Sequence, residues 1–268
     1  MRPAVLRFCL LPVACCSLRV GASSQRRLLA TAISGAATNA KPGANGVTKG
    51  GGSSGSSRLD QGAVHAKTLA WIQEHVIGLN LCPFAKRSLV GGELDVVVFP
   101  GSSADDLKSL VVGCADGLAR RGKAGGRGTA VVAAPWVPAV DDFEAYLALA
   151  AAVEDDLAWA GLDGVVQLAT FHPRYQFEGT EEGDVTNWTN RSPWPLFHLL
   201  REAEVARAVE SFGGNTDAIW KANQASMRAL GEAELARRAQ QLLAPVCLPV
   251  PPPGDEGKGA AGVEPPRY

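Results

Sequence analysis

The side chains of this sequence that can do chemistry are concentrated between residues 172 and 192: His172, Arg174, Tyr175, Glu178, Asn187, Asn190, Arg191 and Ser192. They fall in a stretch of about 23 residues with neither a helical nor a strand period, longer than most connections in compact domains. Binding and catalytic residues gather on loops held by a rigid scaffold. Arg174 and Arg191, with Arg201 further on, are planar forks that grip carboxylate or phosphate in bidentate fashion. Asn190-Arg191-Ser192 also stands just before a predicted helix, whose free N–H groups attract anions, although Pro193 and Pro195 remove two of those donors. The expected ligand is a small anion, with Tyr175, Asn190 and Ser192 supplying further contacts. The plainer reading is that prolines and aromatic rings simply pin a long surface loop.

Cys82 adds a nucleophile. It follows the first predicted helix in Leu79-Asn80-Leu81-Cys82-Pro83-Phe84-Ala85-Lys86, with Asn80 beside it as a further substrate-binding candidate. Lys86 and Arg87 are cations able to lower a thiol pKa, and a thiolate is a nucleophile or a metal ligand. A thiol buried among apolar groups is neither. His198 and Glu202 are four apart on a predicted helix, so they share a face, with Arg201 three after His198. If that face meets the 172–192 loop, Cys82, His172 and His198 are candidate zinc ligands, and Glu202 is the fourth ligand or a general base. No pair among them has a recognised zinc spacing, and His198 and Glu202 can equally pair and cap their own helix.

The catalytic reading makes Cys82 the nucleophile, His172 the general base, His198 and Glu202 their support, and Arg174 with Arg191 the anion clamp. It requires Cys82 and His172 within about one water of each other. A reading of another class makes the chain a non-catalytic ligand-binding or protein-assembly factor that grips a partner with exposed Trp188 and Trp194 of the 171–195 loop. Nucleotide motifs are missing: Gly125-Gly126-Arg127-Gly128 precedes a strand, the wrong context for a phosphate-binding loop.

The elements that must position these groups are legible in outline. Val64 to Asn80 has Leu69, Ile72, Val76 and Leu79 on one helical face. Glu93 to Phe99 is a short β-branched run between Gly91-Gly92 and Pro100-Gly101, hence a buried strand. Ser103 caps the next predicted helix, whose apolar stripe includes Leu107, Val111, Cys114 and Leu118. Thr129 to Ala134 is the second strand. Asp141 with Glu144 starts a third helix running to about residue 160. Val165 to Phe171 is the third strand. Two helices follow, Pro195 to Phe212 and Thr216 to about Leu243, with a break near Gly231. Apolar strands alternating with helices predict an α/β fold: a small three-stranded parallel sheet with covering helices and two C-terminal helices. The alternative is a ferredoxin-like α+β sheet with one antiparallel strand. Ligands of such parallel sheets sit outside the carboxyl ends of the strands.

Charge divides the chain. Residues 1–59 carry eight Lys or Arg and no acid, and the rest carries 18 basic and 27 acidic residues, so +8 and −9 give the net −1. The acidic body argues against nucleic acid as a partner. No apolar run approaches the ~20 residues that span a bilayer, which argues against membrane insertion. Arg2, Arg7, Arg19, Arg26 and Arg27 in an Ala-, Ser- and Leu-rich setting mark residues 1–33 as an organellar leader. Mitochondrion is the expected destination, plastid the alternative, and secretion is disfavoured because Pro12 breaks the apolar run. Residues 34–62 form a Gly/Ser linker, 63–248 a single globular domain and 249–268 a Pro/Gly-rich tail. Cys82, Cys114 and Cys247 remain outside the leader, an odd number with no Cys-x-x-Cys, which fits a reducing compartment.

Four stretches carry a family resemblance: the Leu79–Lys86 segment, His172-Pro173-Arg174-Tyr175-Gln176-Phe177, Thr189-Asn190-Arg191-Ser192-Pro193-Trp194-Pro195 and His198-Leu199-Leu200-Arg201-Glu202. Together they resemble the uncharacterised family catalogued as domain of unknown function 1415, over roughly residues 65–245. The resemblance implies bacterial ancestry, which suits an imported organellar protein. It implies no activity, cofactor or catalytic residue.

Overall fold

The computed structural model describes residues 60–211, 213–214 and 216–243, and four segments within that span form one mixed sheet. Helix α1 (Gln61–Trp71) starts at Asp60, whose side chain accepts from the Ala63 N–H at 2.6 Å, and runs on into a π-helical turn, Ile72–Ile77. A short α2 (Ala85–Val90) leads to β1 (Leu94–Val98). Next come α3 (Ala104–Lys123), β2 (Thr129–Ala133), α4 (Phe143–Trp159) and β3 (Val166–Phe171). Ser103 caps α3 as expected, accepting from Asp106 N–H at 3.2 Å. Asp142 rather than Asp141 caps α4, accepting from Ala145 N–H at 3.0 Å.

Residues 195–212 are not one helix. Leu196–Arg201 is a fourth strand, β4, and only Glu202–Ser211 is helical, as α5. The strand order is β1-β2-β4-β3, with β1 and β2 parallel and β4 antiparallel to both β2 and β3. The three expected strands do run the same way, but β4 is inserted between the second and third. The cause is the apolar run Leu196-Phe197-His198-Leu199-Leu200. A strand with both faces covered has no polar alternation, so its run fits a buried helix equally well. Pairing on both sides decides it, since a central strand satisfies every backbone group through its neighbours. His198 and Glu202 therefore do not share a helix face: His198 sits mid-strand opposite Val131 and Ala169, and Glu202 begins α5.

The sheet has two cores. On one face α3 and α4 cover Val132, Leu168, Phe197 and Leu199 with Leu107, Val111, Tyr146 and Val153. Tyr146 is the rivet of this side, its hydroxyl donating to Leu196 O at 2.6 Å and accepting from Phe171 N–H at 3.1 Å. On the other face Val64, Trp71 and Ile72 cover Val131, Ala133, Ala169, Phe171 and Leu196. Helix α6 (Thr216–Leu243), broken at Gly231 (φ 73°, ψ 165°) as expected, packs Met227 and Leu235 against Leu81. Asn223 in α6 donates to Leu81 O at 2.9 Å, which fixes the segment that carries Cys82. No described helix is long and apolar enough to cross a membrane. The predicted leader, and the parts of the linker and tail before residue 60 and after 243, lie outside the described residues.

Candidate functional site

The 172–195 loop spends most of its polar groups on itself and on the elements it packs against. Asn187, fully buried, accepts from Phe177 N–H at 2.9 Å and from the Thr180 hydroxyl at 2.9 Å, and donates to Glu181 O at 2.9 Å. Asn190 donates to Thr170 O at 3.1 Å. Arg191 lies over the Trp188 ring, 5.0 Å from its centroid, and donates to Glu182 O at 2.7 Å. Ser192 donates to Trp194 O at 2.7 Å. Tyr175 is buried against Phe143 and Phe177. Arg174 lies exposed beside the α4 start, its guanidinium bonded to Asp141 O. Trp194 is buried, its indole N–H donating to Thr68 Oγ1 at 3.1 Å, and Trp188 packs in the Leu81 and Met227 cluster. Most residues predicted to bind an anion or a partner are thus tied into the frame of the loop and its supports, with Arg174 left exposed at the α4 start.

His172 belongs to the same frame. Its Nδ1 accepts from Arg174 N–H at 3.0 Å and its Nε2 donates to Val140 O at 3.0 Å, so neither nitrogen is left for a substrate. It is 1 % exposed, packed against Phe143 and Tyr146 on the α4 side of the sheet. Burial lowers its pKa. Cys82 lines a cavity on the opposite side. The anticipated Cys82–His172 pair is therefore not assembled. Nor is the Cys82, His172 and His198 zinc set, and no group of three His, Cys, Asp or Glu suited to a metal occurs among the described residues. Asn80 is exposed in the left-handed conformation (φ 53°) in the turn that follows the π segment, a position that Asn tolerates through local hydrogen bonding.

The structure does assemble another set. A cavity of about 270 Å³ lies between the sheet and helices α1, α2 and α5. Its floor is the β2–β4 face: Thr129 and Val131 from one strand, Leu196, His198 and Leu200 from the other. The period of two places alternate β4 residues there. Trp71, Ile72 and Val76 form one wall, Cys82 and Phe84 a second, Val205 and Ala208 a third. The π turn at 72–77 rotates the end of α1 over this space, a distortion often met at functional sites.

The polar end lies where β4 finishes and β2 starts. Arg201 is 9 % exposed; its Nη2 donates to Gly126 O at 2.6 Å and pairs with Glu204, while its buried Nε has no partner. Arg87, Arg127 and Arg207 also line the cavity, so four arginines stand against one carboxylate, Glu204. Arg127 is held by Glu93 at 2.8 Å. This end opens at the amino ends of the parallel strands, not at the carboxyl ends where the sequence reading expected a ligand.

Two neutral groups complete the lining. His198 has its pKa lowered to about 4 by burial, so the ring is uncharged at neutral pH. Its Nε2 lies 2.8 Å from Thr129 Oγ1. Burial raises the Cys82 thiol, against the opposing pull of the Phe84 and Ala85 N–H groups. The expected lowering by Lys86 and Arg87 is not found: both side chains are exposed, and burial wins. Cys114 packs against the α3–α4 core, as its stripe predicted.

Of the predicted site residues, Cys82, His198 and Arg201 line this cavity; His172, Arg174, Tyr175, Asn190, Arg191, Ser192, Asn80 and Glu202 do not. Thr129 and Glu204 were missed. Thr129 reads as an ordinary strand start, and only the glycine-rich turn before it hinted that backbone and guanidinium approach closely there. A family model described as "Protein of unknown function (DUF1415)" matches residues 63–237. No curated protein and no solved structure matches the chain.

Proposed function

The chain belongs to this family of unknown function (DUF1415), and from that premise we propose that its domain binds a small amphiphilic anion. The apolar body of the ligand occupies the cavity and its anionic end meets the arginines that line it, Arg201 among them. The observation that carries this is the charge of the lining: Arg87, Arg127, Arg201 and Arg207 stand against one carboxylate, Glu204, beside an otherwise apolar space. An excess of guanidinium groups around an apolar space favours a ligand whose carboxylate they can grip in bidentate fashion. At about 270 Å³ the cavity lies just below the ~300 Å³ at which ligand pockets usually begin, which suits a small ligand such as a medium-chain acid.

Gly122 supplies a test that leaves the charges intact. A Cβ there would fall 1.8 Å from Arg201 Nη1, the far end of a flexible side chain. Gly122→Ala should therefore displace the guanidinium while the fold stands, since Ala also favours the α3 helix. Calorimetric titration should show octanoate binding to the parent chain, octanol binding at least tenfold more weakly, and that preference shrinking in Gly122→Ala. Equal binding of octanoate and octanol to the parent chain would refute the assignment.

A second reading rests on Cys82 lining the same space: the domain is an enzyme acting on the bound anion through this thiol. With Cys82 raised and His198 lowered, the two rest as neutral thiol and neutral imidazole, not as an ion pair. Binding is thus the better supported function, and the reactive reading requires bound ligand to raise the alkylation rate of Cys82 rather than shield it. The arginine-rich, acid-free leader supports mitochondrial residence, which an import assay with residues 1–59 fused to a reporter would test.

A further inference from the structure

We infer that the cavity selects an anion that also carries a hydroxyl or N–H donor along its apolar body, because Thr129 fixes His198 as a hydrogen-bond acceptor. This deepens the anion-binding reading above and rests on it. The Thr129 hydroxyl has one proton and two close neighbours, Leu199 O at 2.7 Å and His198 Nε2 at 2.8 Å. A carbonyl has no proton to give, and two bare oxygens would not settle 2.7 Å apart, a distance typical of O–H···O bonds. The hydroxyl proton therefore goes to Leu199. Nε2 must then carry its own proton and donate to Thr129 Oγ1. A neutral imidazole has only one such proton, so Nδ1 is a bare lone pair. No described residue bonds to it.

Strand register builds this lock. Thr129 pairs with Leu200 and Val131 with His198, so Thr129 and His198 are diagonal neighbours on the cavity face of β2 and β4. Around them the floor is Val131, Leu196 and Leu200, which offer no competing donor. An all-hydrocarbon ligand leaves Nδ1 facing CH groups. A ligand with a donor at that height satisfies it. Sites built to bond a polar group reject the analogue that lacks it far more strongly than apolar sites reject an added methylene.

The test uses the full-length chain, calorimetry and ¹⁵N spectra of the histidine rings. Probes are octanoate, its monohydroxylated isomers and the methyl ether of the best isomer. His198 should show the Nε2–H tautomer, and one isomer should bind at least tenfold more tightly than octanoate. The ether, which accepts but cannot donate, should lose that gain. Thr129→Val keeps the side-chain shape and removes the lock, so the isomer's advantage over octanoate, measured as a ratio within the variant, should fall to about twofold. Thr129→Ser, which keeps the hydroxyl, should preserve the advantage, and it serves as the control if Thr129→Val proves unstable. An Nδ1–H tautomer in the parent chain overturns the inference, as does an isomer series no tighter than octanoate. Failure of every acid to bind, with the Nε2–H tautomer present, instead overturns the anion-binding reading and the selectivity with it.

Discussion

Acid should destabilise this domain through His198, and replacing that residue should remove about one proton's worth of the effect. The folded ring has its pKa at about 4, against 6.5 for the ordinary value. The unfolded chain therefore takes up this proton first as pH falls, and the proton favours unfolding. The stability that depends on His198 being neutral is fully present above about pH 6.5. It is lost at about 1.4 kcal/mol per pH unit as pH falls from there, and the loss levels off below about pH 4. The whole span amounts to about 3 kcal/mol, of which about 2 kcal/mol is lost between pH 7 and pH 5. His75 and His172 are also lowered by burial, so the parent chain should lose more than this in total. His198→Gln retains a donor for Thr129 and has no proton to gain. Urea unfolding at pH 7, 6 and 5 should give His198→Gln a shallower stability slope than the parent, by close to one proton. Equal slopes would mean that His198 is hydrated and titrates normally in the folded state. The enclosed acceptor on which the cavity argument depends would then be gone.

Other perturbations follow from single bonds already described. Tyr146→Phe strips both Leu196 O and Phe171 N–H of a buried partner and should cost about 2–4 kcal/mol in denaturant unfolding, at the junction of β3 and β4. Asn187→Ala removes the hub of the 177–187 loop; it should cost about 2 kcal/mol and raise proteolysis within 177–187 selectively, with hydrogen exchange as the readout. Cys82 should react with iodoacetamide more slowly than a free thiol at pH 8, because burial keeps it protonated, and saturating octanoate should slow it further; free-thiol kinetics would disprove its burial.

Local chemistry was legible in the sequence where one residue decides the outcome. Ser103 caps α3 because a hydroxyl before an apolar stripe has an unpaired N–H within reach, and Gly231 breaks α6 because its φ of 73° suits glycine. The three like-directed strands could be read because each is a short apolar run between glycines and prolines. The family resemblance likewise rests on contiguous motifs, and residues 63–237 match the family. Tertiary structure decided the rest. Whether Leu196–Arg201 is helix or strand turns on β2 and β3 lying at both its edges, contacts 60 residues and more away for β2. Once β4 is a strand, His198 moves from a helix beside Glu202 to the floor of a cavity beside Thr129. The polar wealth of the 172–195 loop misled for a related reason. Sequence shows that Asn187, Asn190 and His172 can form hydrogen bonds, but only the fold shows that backbone groups have already taken them. A polar side chain enters a site when the structure leaves its bonding capacity unspent, and that depends on the whole packing around it.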